Sequence, residues 1–129
     1  MKKLLFLLLG VMLLTACGQT AETVQEAVFV SITAEEAKEI MDTGDGFVIL
    51  DVRTQEEYDE GHVPGAILIP NTETENRAEE ELPDKAQLIL VYCRSGRRSK
   101  LAAQILADLG YTNVKEFGGI IDWPYEVTK

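Results

Sequence analysis

A chain of 129 residues is sized for one domain with its own core once any leader is set aside. Its 22 acidic residues against 12 basic ones give a formal net charge of −10 at pH 7, which argues against nucleic acid or anionic headgroups as partners. No repeat, low-complexity tract, Walker loop, dinucleotide fingerprint or zinc spacing occurs, so no metal or nucleotide cofactor is expected.

Met1-Lys2-Lys3 is a short basic segment, and Leu4 to Leu14 is an apolar run too short to span a bilayer. Leu14-Thr15-Ala16-Cys17 then looks like a bacterial lipobox. Residues 1–16 are therefore expected to be a lipoprotein signal peptide, with Cys17 the lipidated first residue of the mature chain. A diacylglyceryl cysteine that is also N-acylated supplies the two or more chains that stable anchoring needs. The rest of 17–28 is small and polar and reads as a flexible tether. The expected location is the extracytoplasmic face of a bacterial cell membrane. Lipid does the anchoring, because losing Lys2 and Lys3 leaves the mature chain still more acidic. Cys93 is then the only free thiol, and no internal disulfide can form.

Residues 29–129 carry the folded domain, whose first strand is read as starting just ahead, at Val28. Val28 to Ile32 reads as a short strand, and Thr33-Ala34-Glu35-Glu36 is a capping box opening a helix to about Met41. Gly44-Asp45-Gly46 is a turn, followed by a buried strand from Phe47 to Asp51. A second capping box, Thr54-Gln55-Glu56-Glu57, opens a short helix ending near Gly61. Ala66 to Ile69 is a strand, and Thr72-Glu73-Thr74-Glu75 starts an acidic helix reaching about Leu82, a solvated face rather than a metal site. Leu88 to Tyr92 is a buried strand. A helix then begins near Arg98 and stops at Gly110, and Val114 to Phe117 is the last strand. The alternation predicts an α/β fold: a small, mostly parallel sheet of about five strands with helices on both faces and ligands at the strands' carboxyl ends.

Cys93 falls at such an end, on a tight loop between a buried strand and a helix N-terminus. Unpaired backbone N–H groups and the helix dipole favour an anion there, and a thiolate is an anion. Arg94, Arg97, Arg98 and Lys100 crowd this one loop of an acidic chain. Arg97 and Arg98 stand where capping would place Asp or Glu, a local rule broken in the manner of a functional site. Lowering a thiol pKa by about two units raises the thiolate fraction at neutral pH roughly twenty-five-fold. Intrinsic nucleophilicity falls roughly six- to ten-fold over the same change. The net gain is small, so the loop's larger contribution should be electrostatic, through donors that hold an anionic substrate and its departing group.

Cys93-Arg94-Ser95-Gly96-Arg97-Arg98-Ser99 resembles the active-site loop of single-domain rhodaneses, sulfurtransferases that carry sulfur as a cysteine persulfide. The run from Ile49-Leu50-Asp51-Val52-Arg53 to Val63-Pro64-Gly65-Ala66 resembles that family's first block, and Phe117-Gly118-Gly119-Ile120-Ile121-Asp122-Trp123 its closing segment. The resemblance implies ping-pong transfer of a sulfane sulfur from a small anionic donor such as thiosulfate, through Cys93, to cyanide or a thiol. It implies a substrate cradle of backbone N–H groups from Arg94 to Ser99, with Arg94, Arg97 and Arg98 attracting the dianion. Asp51 would orient the loop or Arg53 by hydrogen bonds. His62 would be structural, Trp123 would pack in the core, and Gly118-Gly119 would let backbone pass close to the loop. Other readings stay open at this point: a binding module, a redox or sulfide-relay component with an unnamed protein partner, and a cysteine-dependent phosphatase or arsenate reductase. The phosphatase pattern is Cys-x5-Arg, and here the arginine's position is Ser99.

Overall fold

In the computed structural model, which describes residues 27–129, five strands and four helices alternate. They are β1 (Val30–Ser31), α1 (Ala34–Thr43), β2 (Phe47–Asp51), α2 (Gln55–Glu60), β3 (Ile67–Leu68), α3 (Thr74–Glu81), β4 (Leu88–Cys93), α4 (Arg97–Asp108) and β5 (Val114–Gly119), followed by a 3-10 turn at Ile120–Asp122. The expected signal peptide, Cys17 and most of the tether lie outside the described residues.

The strands form one parallel sheet in the order β1-β5-β4-β2-β3. β4 lies at its centre, between β5 and β2, and both its faces are covered, so it reads as an uninterrupted apolar run. The period-two geometry of a strand still sorts its side chains. Ile89, Val91 and Cys93 pack with Leu50, with Ala78 and Leu82 at α3, and with Ala102, Ala103 and Leu106 of α4. Leu90 and Tyr92 face the other way, against Ile49, Phe117, Trp123 and Ala37 of α1. Cys93 and its neighbour Tyr92 therefore belong to opposite faces.

Both capping boxes form. Thr33 Oγ1 accepts from Glu36 N–H at 3.1 Å and Thr54 Oγ1 from Glu57 N–H at 3.2 Å, while each glutamate reaches back to its threonine's N–H. Such caps stabilise a helix start by about 1 kcal/mol. Several boundaries differ from the sequence reading: β5 runs past Phe117 to Gly119, β4 takes in Cys93, and β3 shortens to Ile67–Leu68. β1 is shorter than Val28–Ile32, because as an edge strand it pairs only with β5, and Val28 and Val30 are exposed. α3 starts at Thr74 instead of Thr72, and its cap residue Glu73 makes no side-chain cap. Thr74 is buried and donates its hydroxyl to Pro70 O at 3.1 Å, so burial in the core overrides local capping.

Candidate active site

Only Arg94, Ser95 and Gly96 separate Cys93 at the end of β4 from the start of α4. Gly96 makes that turn possible with a left-handed φ of +100°, and it caps α4 without any side chain. The first N–H groups of α4 are thus unclaimed by a capping side chain, the condition for receiving an anion. The Gly96 N–H already points at Cys93 Sγ, at 3.0 Å.

β5 supplies the floor. Val91 lies opposite Glu116 but Cys93 opposite Gly119, so β5 carries one extra residue at this point, and Gly118 takes up the irregularity at φ +86°. Gly119 then passes directly under Arg94, whose carbonyl accepts from Ile121 N–H at 3.2 Å.

Burial pushes the Cys93 thiol up. Hydrogen bonding with the Ser99 hydroxyl, and hydrogen bonds from the N–H groups of Ser99, Gly96 and Ser95, outweigh that effect and bring it below its ordinary value. Ser99 is buried, with Oγ 3.4 Å from Cys93 Sγ and 2.8 Å from Oε1 of Glu116, a carboxylate only 2 % exposed.

The arginines part company in the structure. Arg94 and Arg97 are exposed and, among the described residues, make no salt bridge. Arg98 is half-buried and makes a bidentate ion pair with Glu57 of α2, at 2.8 and 2.9 Å. The Arg98 hydrogen bond holds the Glu57 carboxyl down at about 2. Two charges that the sequence placed in separate motifs are thereby joined, and Glu57 fixes the position of the Arg98 guanidinium.

Asp51 and Arg53 lie on the Tyr92 side of the sheet. Arg53 Nε and Nη2 donate to the Asp51 carboxylate at 2.7–3.1 Å, and Nη2 also to Gly61 O at 2.7 Å. The Tyr92 hydroxyl donates to Asp51 Oδ2 at 2.6 Å and accepts from Val63 N–H at 3.0 Å. Of the two tasks expected for Asp51, the structure realises the orientation of Arg53; its side chain makes no hydrogen bond to the cysteine loop. The Tyr92 hydroxyl ties the pair to β4 one residue before Cys93. His62 stacks on Tyr58 with ring centroids 3.7 Å apart and pairs through its backbone with Thr128, closing the C-terminal tail. Trp123 is buried against Phe117. A cleft of about 470 Å³ lined by Met41, Phe47, Ile49, Pro64 and Trp123 contains no residue of the cysteine loop.

Sequence reasoning missed two residues here. Glu57 read only as the closing residue of a capping box. Glu116 read as part of a strand; its alternation with Val114, which places it on the same inward face, was the available signal.

A parallel α/β sheet that presents a cysteine from its central strand into a loop of backbone donors defines a class of cysteine-bearing α/β domains. The rhodanese-like domain family matches residues 33–124, and the chain belongs to that family. It is 45% identical over 73 residues to the thiosulfate sulfurtransferase PspE of Escherichia coli (strain K12), covering 57% of this chain and 70% of that protein. It is 39% identical over 93 residues to the putative sulfur carrier protein YrkF of Bacillus subtilis (strain 168), covering 71% of this chain and 49%, about half, of that relative. Among solved structures, a rhodanese with anions from E. coli superposes with a TM-score of 0.61 at 41% identity, over 64% of this chain and 98% of that one. The protein is an enzyme of this rhodanese-like sulfurtransferase family.

Proposed function

We propose that this protein moves a sulfane sulfur from thiosulfate, or a donor of the same anionic class, to cyanide or a thiol through a persulfide on Cys93. The observation that carries the reading is the Gly96 N–H held on Cys93 Sγ beside a helix N-terminus that no side chain caps. The Cys93 thiolate attacks the outer sulfur of the donor, and its electron pair becomes the new S–S bond. The bond between the two donor sulfurs breaks, sulfite departs with that pair, and the persulfide keeps one negative charge on its outer sulfur. Cyanide then attacks the outer sulfur, leaves as thiocyanate and returns the Cys93 thiolate; a thiol acceptor leaves as its own persulfide.

In this scheme the backbone of Arg94, Ser95, Gly96, Arg97, Arg98 and Ser99 cradles the charge that moves between sulfurs. Arg94 and Arg97 draw in the dianion, and Arg98 does so from the position Glu57 gives it. Asp51 and Arg53 keep the strand end rigid beneath the loop. A phosphatase would need an arginine six residues after the cysteine; that position is Ser99, buried against Glu116. The lipobox supports anchoring of the mature protein by lipid on Cys17, at the outer face of the cell membrane.

Intact-mass measurement of the mature protein after thiosulfate treatment tests the chemistry. The expected result is one added sulfur that cyanide removes, and no addition in Cys93→Ser. A sulfur adduct on Cys93→Ser would refute it. Labelled fatty acid should be incorporated by the wild type and not by Cys17→Ser.

A further inference from the structure

Glu116 has no part in the sulfur-transfer scheme, yet it lies buried beneath the reacting loop. Among the described residues no lysine, arginine or histidine comes within salt-bridge distance of it. Its partners are neutral donors: Oε1 accepts from the Ser99 hydroxyl at 2.8 Å and from Gly118 N–H at 2.7 Å, and Oε2 from the Ser31 hydroxyl at 3.1 Å. A buried carboxylate without a cation is costly, and this one is kept beside the reactive sulfur.

The hydrogen count at Ser99 shows what it can do. Ser99 has one hydroxyl proton and four acceptors in reach: Glu116 Oε1 at 2.8 Å, Gly96 O at 3.0 Å, Gly118 O at 3.3 Å and Cys93 Sγ at 3.4 Å. The carboxylate is the nearest, and hydrogen bonds to an ionised acceptor are roughly twice as strong as neutral ones. While the proton points to Glu116, the Ser99 oxygen can only accept from the sulfur, which must then be a thiol. A thiolate needs the same proton turned the other way.

We propose that Glu116 is a positioning residue for Cys93 that acts through Ser99: its carboxylate draws the hydroxyl proton away from the sulfur and so restrains ionisation of the thiol. The proposal rests on Cys93 being the reacting group. It gives the loop two opposed pulls. The backbone donors and Arg98 of α4, itself tied to Glu57 of α2, favour the thiolate, while Glu116 of β5 opposes it. β1 contributes only the Ser31 hydroxyl, and Asp51 and Arg53 pack on the other face. Balance is useful because nucleophilicity falls with thiol pKa, with a slope of about 0.4–0.5, and attack is best when that pKa lies near ambient pH.

The test is a pH titration of thiolate ultraviolet absorbance in the mature protein, taken as the difference from Cys93→Ser. Glu116→Gln keeps the shape and the acceptor for Gly118 while removing the charge. Its midpoint should fall by about one pH unit or more, a tenfold gain in thiolate at pH values well below both midpoints. The acid limb of the sulfur-transfer pH profile should move with it. In a Ser99→Ala background the same substitution should move the midpoint far less. An unchanged or raised midpoint in a Glu116→Gln protein that melts normally overturns the proposal, as does an equal fall without Ser99. If Glu116→Gln does not fold, Glu116→Asp withdraws the carboxylate from Ser99 and should also lower the midpoint; no change there overturns the proposal equally. Absorbance reads ionisation whether or not sulfur is transferred. A shifted midpoint in a protein that takes no sulfur would sink the sulfurtransferase reading and leave this one standing.

Discussion

Gly119 is held to glycine by room, not by backbone conformation. Its φ of −131° and ψ of 154° are extended values that any residue adopts. A Cβ there would lie 1.9 Å from the Arg94 carbonyl oxygen, 2.3 Å from its carbon and 2.5 Å from Ser95 N, all backbone atoms that cannot rotate aside. Gly119→Ala must therefore push the cysteine loop and β5 apart by about 1 Å or more. Overpacking of this kind costs about 1–3 kcal/mol. At about 4–8 °C per kcal/mol for a domain of this size, the melting temperature should drop by roughly 5–20 °C. The same loop carries the Gly96 N–H onto Cys93 Sγ, and a displacement of about 1 Å near reacting atoms costs on the order of a hundred-fold in rate. Gly110→Ala is the control: φ is +98° with open space around the missing Cβ, so alanine incurs only the left-handed penalty of about 1–2 kcal/mol. Thermal melts and kcat/KM for thiosulfate with cyanide as acceptor should show Gly119→Ala losing both stability and activity, and Gly110→Ala losing stability alone. Wild-type activity and melting in Gly119→Ala would refute the close approach.

Replacing Arg94, Arg97 and Arg98 together by Gln should raise KM for thiosulfate by about ten- to a hundred-fold, on about 0.5–1 kcal/mol for each partly exposed charge. The effect should shrink with salt, since screening is strong beyond roughly 10 Å at 0.1 M ionic strength; a loss independent of salt would mean the arginines shape the loop instead. The Glu57–Arg98 pair should show in acid stability. Glu57 falls from an ordinary 4.5 to about 2, so its stabilisation is present above 4.5 and disappears as pH falls toward 2. The lead of wild type over Glu57→Gln in urea denaturation should narrow across that window, and a lead independent of pH would count against the pair. Tyr92→Phe leaves Asp51 Oδ2 and Val63 N–H short of a buried partner and should cost about 1–3 kcal/mol in denaturation experiments, with sulfur transfer retained.

Much of the architecture was legible before any coordinates. The capping boxes at Thr33 and Thr54, the apolar runs of β2 and β4 and the stop at Gly110 depend on contacts within a few residues, and that is where sequence patterns carry physical information. The loop around Cys93 was legible for the same reason: strand, glycine turn and helix start are contiguous. What failed locally failed where distant packing intervened, as at α3, where the burial of Thr74 set the first turn.

Only the tertiary structure decided which charges meet at the site. Arg98 finds Glu57 across forty-one positions, and Ser99 finds Glu116 across seventeen. Both encounters exist because the sheet order places β4 beside β5 and β2 and lays α4 over the strand ends. Nothing within the cysteine loop encodes which neighbour each side chain meets. The sequence by itself singled out Cys93 and the loop around it; the arrangement of the strands determined which acid meets Ser99 and which holds Arg98, because burial and hydrogen bonding between distant segments are properties of the packed sheet.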